Sequence, residues 1–271
     1  MRVKRAVPND PAGLVAARFL ADSLLSVTAR DSAAAVALAS LAALTGRVHL
    51  AAHYARSDGE SVTGPPALRP TVRALEAYAA LGAPVDSIRA LASVLWHAAV
   101  ANKNAEDPAR WMLRAFTVAF PTYHDSGIRI LSRDGHYIAV AEQASLDNDT
   151  ATIRQRLIPL SAARATVPPE DIKLERLYPE AWLLASIGDH ALALQWLTPT
   201  LDAQARASTE TLRSVVGAGA LIRAMSLRAR LAAQVGHDAE SRQWARAVVA
   251  LWDEADDELQ PMVREMRRLA R

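Results

Sequence analysis

Cysteine is absent from all 271 residues, and with it go disulfides, thiolate nucleophiles and every cysteine-ligated metal site. Aromatic residues are scarce, at 5%, which disfavours the ring-rich cores of a sandwich or barrel. A charge excess of one sign is missing too. The 31 basic residues stand against 29 acidic ones, and a formal charge of +2 gives no reason to expect a nucleic acid partner. The longest uncharged stretch, Ser32 to Gly46, is mostly alanine and falls short of the roughly 20 apolar residues that a membrane span needs. Met1 to Gly13 mixes Arg2, Lys4, Arg5 and Asp10 with two prolines and has no apolar signal core. A soluble, cytoplasmic chain without a transmembrane segment is the expectation.

What is abundant is alanine and leucine, within a hydrophobic fraction of 51%, and both are strong helix formers. Pro11, Pro70, Pro84 and Pro108 read as helix openers, and Gly46 and Gly82 as left-handed stops. Together they predict helices over about 11–29, 32–46, 47–56, 70–82, 84–102 and from 108, with residues 120–135 ambiguous because Pro121 and Gly127 break the pattern. Further helices are predicted over 136–146, 149–165, 169–187, 189–206, 209–235, 238–255 and 257–270. Pro159, Pro179, Pro199 and Pro261 should kink or shorten theirs, since an internal proline costs roughly 3 kcal/mol without compensation. No segment alternates with period two, so the fold class is all-α, a single helical-repeat domain over 1–271 with a loop at about 57–69.

The glycines Gly46, Gly82, Gly135, Gly188 and Gly236 expose a recurring pattern. Five residues beyond each stands a small or compact side chain: Ala51, Ser87, Val140, Ala193, Ser241. Eight residues beyond stand Tyr54, Trp196 and Trp244. A small residue lets two helices cross closely, and a ring one turn later fills the gap beside the crossing. The spacing between these glycines is irregular, so the architecture predicted is an irregular α-solenoid of stacked antiparallel helix hairpins. The segment YPEAWLLASIGDHALALQWLTPTL, Tyr178 to Leu201, resembles a tetratricopeptide unit, with Trp182, the Gly188-Asp189 turn and Ala193 in place. The segment from Leu227 to Leu269 resembles the repeat regions attached to bacterial serine/threonine kinases and transcriptional regulators, and the best repeat match covers 178–271. That resemblance implies a sensing or scaffolding region.

Catalytic motifs are wanting. No G-x-G-x-x-G, V-A-I-K, H-R-D or D-F-G stretch occurs, so the kinase itself is not here. His49 and His53 have zinc-protease spacing, but Leu50 stands where the general base belongs, and a structural role is the plainer reading. His136, His190 and His237 follow turn glycines and read as solvated. Gly217 and Gly219 lack a preceding strand and a following lysine, which points to close helix packing rather than phosphate binding. The acidic cluster Asp253, Glu254, Asp256, Asp257 and Glu258 lacks calcium-loop spacing and reads as a solvated link. Arg264, Arg267, Arg268 and Arg271 read as a charged terminal face. No enzyme activity, cofactor or metal is expected.

In stacked hairpins the first helix of each pair should line an inner curve. Counting back from the turn glycines places Arg69, Arg73 and Glu76, then Glu175, Pro179 and Trp182, then Arg223, Leu227 and Arg230 on one side of their helices. Arg69, Arg73, Glu76, Glu175, Trp182, Arg223 and Arg230 are the candidate partner-binding residues, suited to an acidic or carboxylate-bearing segment of another protein. The function expected is a non-catalytic scaffold or adaptor, compatible with a peripheral accessory subunit of a larger, even membrane-bound, complex. The competing expectation is a ligand-sensing regulatory region of a bacterial kinase or transcriptional regulator.

Overall fold

Proline and glycine set the boundaries of the helices. In a computed structural model that describes residues 11–25, 32–57, 68–101, 137–205 and 214–271, the helices run α1 (Pro11–Leu25), α2 (Ser32–Leu44), α3 (Val48–Ser57), α4 (Arg69–Leu81), α5 (Val85–Ala101), α6 (Tyr137–Leu146), α7 (Thr150–Arg164), α8 (Leu174–Ser186), α9 (His190–Asp202), α10 (Val215–Gln234), α11 (Asp238–Trp252) and α12 (Gln260–Leu269). No strand occurs among the described residues, and none of their helices is long and apolar enough to cross a membrane. The all-α expectation holds. Most of the loop read at 57–69, the start at Pro108, Gly135 and His136 lie outside the described residues.

Four of the five turn glycines are described, and each is left-handed: Gly46, Gly82, Gly188 and Gly236 have φ between 74° and 84°. They close the hairpins α2/α3, α4/α5, α8/α9 and α10/α11. The remaining described hairpin, α6/α7, turns on Asn148 at φ 57°. Asparagine is one of the few residues that reaches this region cheaply, through local hydrogen bonds of its side chain. Asp149 then caps α7 by accepting from the Thr152 N–H at 3.0 Å.

The prolines differ from expectation in an informative way. Pro70 and Pro261 open α4 and α12, where a missing N–H costs nothing. Pro159, Pro179 and Pro199 lie within continuous helices. For Pro159 and Pro199 the residues four back, Gln155 and Gln195, are exposed, so water can serve the carbonyl that loses its donor.

Helix α10 organises the packing. Every residue from Val215 to Ala229 is buried, so this helix has no solvent face over four turns. It packs against α2, α4, α8, α9, α11 and α12. The C-terminal hairpin therefore sits against the N-terminal hairpins as well as its chain neighbours, and α11 also touches α1. This contact pattern differs from stacking by chain order alone, in which each hairpin meets only the next.

At Gly219, α10 closely approaches the backbone of α4. A Cβ there would lie 2.7 Å from the Ala80 carbonyl oxygen and 2.8 Å from its carbonyl carbon and Cβ. Backbone cannot rotate away as a side chain can. Gly219→Ala is expected to lose about 2 kcal/mol to overpacking, against about 1 kcal/mol that alanine returns in helix propensity. A urea titration showing Gly219→Ala more stable than the parent would remove this account of the α4–α10 contact.

Candidate functional site

The residues expected to line an inner curve fall around α10, and several are enclosed there. On α4, Glu76 is buried and accepts from Arg73 Nη1 at 2.7 Å. On α10, Arg223 is 3% exposed. Its Nη1 donates to the Ala79 carbonyl of α4 at 3.0 Å, and its guanidinium lies 4.8 Å over the ring of Tyr178 on α8. Burial pulls the Arg223 guanidinium below its ordinary value, Tyr178 opposes that shift, and the neighbouring Arg230 charge adds to it. Arg223 is thus a strut between α4 and α8.

Arg230 lies two turns further on, partly exposed, 3.5 Å from Glu265 of α12. Arg69, Arg73, Glu175 and Trp182 are also partly buried, and Trp182 packs on the core. The exposed side assigned to these first helices needs correction at Glu76, Pro179, Arg223 and Leu227, all of which are buried. The reason is α10 itself. A helix surrounded by others presents no outer face, and its polar side chains must find partners inside.

Rings eight residues beyond the turn glycines acquire a role that the sequence pattern did not show. Trp196 carries the Arg164 guanidinium at 4.8 Å and Trp244 carries that of Arg228 at 4.4 Å. Each arginine also grips carboxylates. Arg164 pairs with the fully buried Glu180. Arg228, itself only 5% exposed at the side chain, reaches Asp202 of α9 at 2.6 Å and Glu240 of α11 at 2.7 Å. The rings were visible in the sequence; their cations come from other helices and were not.

The acidic cluster is not merely a solvated link. Asp253 to Glu258 join α11 to α12 and dock on the Gly46 turn. The Asp256 N–H donates to the Gly46 carbonyl at 3.0 Å, and Arg47 Nη1 donates to the Glu254 carbonyl at 2.6 Å. Arg18, nearly buried on α1, faces Glu254 at 3.5 Å and Asp253 at 3.9 Å. Of the terminal arginines, Arg267 holds Asp253 at 2.7 Å, and Arg264, Arg268 and Arg271 are exposed as expected. His190 is partly buried, and His237 is exposed with Glu240 3.5 Å away. Comparison with protein-family models, with curated proteins and with solved structures finds no match.

Proposed function

We propose that this chain is a tetratricopeptide-like, non-catalytic scaffold that holds another protein, as an adaptor or a peripheral accessory subunit of a larger assembly. The supporting observation is the contrast between an enclosed polar seam and its margin. Glu76 and Arg223 are locked inside by α4, α8 and α10, so the first helices are held rigidly. Arg69, Arg73, Glu175, Trp182 and Arg230 remain partly open around them. Guanidinium groups on rigid helices bind carboxylates with little ordering cost, which favours an acidic segment of a partner protein.

The test begins with the tagged chain recovered from its own cell and the companion identified by mass spectrometry. Affinity for that companion is then measured by calorimetry for the parent and for an Arg69→Glu, Arg230→Glu double variant. Both positions are partly exposed, so helical circular dichroism should survive. A loss of affinity of tenfold or more is expected. Unchanged affinity in a folded double variant removes the arginine margin as the binding surface. Stabilisation by small metabolites in a thermal-shift screen, with no stoichiometric companion recovered, favours the ligand-sensing region instead.

A further inference from the structure

Taken separately, His49 and the loop before α12 suggest nothing: the histidine lacks the general base of a zinc-protease motif, and the acidic run lacks ligand spacing. The fold brings them together across more than two hundred positions. His49 is the second residue of α3, and its backbone N–H donates to Asp256 Oδ2 at 3.3 Å. Its ring Nε2 lies 2.7 Å from Glu258 Oε1. The ring itself stands edge-on to Tyr78, centroids 6.1 Å apart at 75°. One imidazole nitrogen and two carboxylate oxygens thus converge, all within 4.8 Å of one another.

We propose that His49, Asp256 and Glu258 form a three-ligand site for a divalent transition cation, zinc above others. An imidazole with two carboxylates is a donor set that zinc accepts, with water in the fourth position. Calcium wants six to eight oxygens, and magnesium an octahedral shell with several waters, so neither matches as well.

Charge balance supports the site independently. The arginines around this junction are engaged elsewhere: Arg18 and Arg47 with Glu254, Arg18 and Arg267 with Asp253. Among the described residues Glu258 pairs only with His49, and Asp256 has no ion pair. Two carboxylates therefore face one imidazole with no fixed cation between them.

The backbone is also set in advance. The Asp256 N–H on Gly46 and the Arg47 bond to Glu254 fix both segments without help from an ion. Zinc–ligand lengths of about 2.0 Å in a tetrahedron put ligand atoms about 3.3 Å apart. The His49–Glu258 contact must then open by roughly half an ångström. Both side chains are exposed enough to move, at 59% and 29%. A bound ion would staple α3 to the loop leading into α12, tying an early hairpin to the end of the chain.

The experiment is titration of the full chain with zinc chloride, followed by calorimetry and by thermal shift, with magnesium chloride as the comparison. Saturable binding of one zinc per chain and a raised melting temperature are expected, with no response to magnesium. His49→Ala and Glu258→Gln should each weaken zinc binding at least tenfold, whereas His53→Ala should not. Circular dichroism checks that the exposed substitutions leave the fold intact. Absence of zinc binding by the parent overturns the site. So does a zinc affinity that survives His49→Ala and Glu258→Gln in folded protein, or one lost only with His53.

Discussion

Gly46→Ala is expected to destabilise the fold by about 4 kcal/mol, the sum of a left-handed residue forced on an L side chain and an overpacked contact. At φ 74° an alanine is already strained. Its Cβ would then stand 2.5 Å from the Ala255 Cβ, 3.2 Å from the Ala255 Cα and 3.3 Å from Trp252 Cδ1. Gly188 and Gly236 have the same handedness, but a Cβ at either would meet nothing within 4 Å. Gly188→Ala and Gly236→Ala should therefore lose only the conformational part, roughly 1–2 kcal/mol. Urea denaturation of the three variants separates the two causes. Ala255→Gly in the Gly46→Ala background should recover part of the loss, because it removes the nearest atom. Equal losses at all three glycines would mean that the Gly46 turn is not pressed against the α11–α12 loop.

That comparison also marks where the sequence is readable. A left-handed turn is a property of one residue, so glycine announces it locally. The crossing residues follow for the same reason. Ala51, Ala193 and Ser241 are buried, and Tyr54, Trp196 and Trp244 are buried one turn later. Ser87 and Val140 are only partly so. The break between the helices predicted over 136–146 and 149–165 falls at Asn148, but its left-handed turn gives no comparable signal, because asparagine adopts φ > 0 far less often than glycine. Gly219 is legible as a close approach, although not which helix approaches.

What cannot be read is pairing between distant helices. Periodicity shows that α10 has apolar residues but not that six helices enclose it, and a chain-order stack leaves no way to foresee Arg223 between α4 and α8. The same blindness separates His49 from Asp256 and Glu258. An arginine on an Ala/Leu helix resembles a surface residue until its partners are known. Arg223 and Arg228 are both nearly buried, and each bonds to groups from other helices.

Glu142 makes no such bond among the described residues, and it carries the largest expected dependence on pH. It lies on α6, is 2% exposed, and neither carboxyl oxygen has a hydrogen-bond partner among the described residues. Burial alone pushes its pKa from 4.5 up to about 8. The folded chain therefore holds a proton that the unfolded chain has released over the interval from pH 4.5 to about 8. Stability must fall as pH rises through that interval, by roughly 1.4 kcal/mol per pH unit. Below it both states are protonated and the penalty vanishes; above it the penalty is complete and constant. Glu142→Gln removes the titration while keeping the shape. Its stability relative to the parent should climb steadily from about pH 5 to about pH 8, the variant standing on the order of 3 kcal/mol ahead of where it began once about pH 7.5 is passed. Glu142→Leu, which adds no unpaired amide, should show the same slope from a different starting value. Denaturant titrations at three or four pH values measure both. A difference that does not change with pH would show that the Glu142 carboxyl ionises in the folded chain as readily as in water, and that the packing of α6 on α7 and α8 leaves it wet.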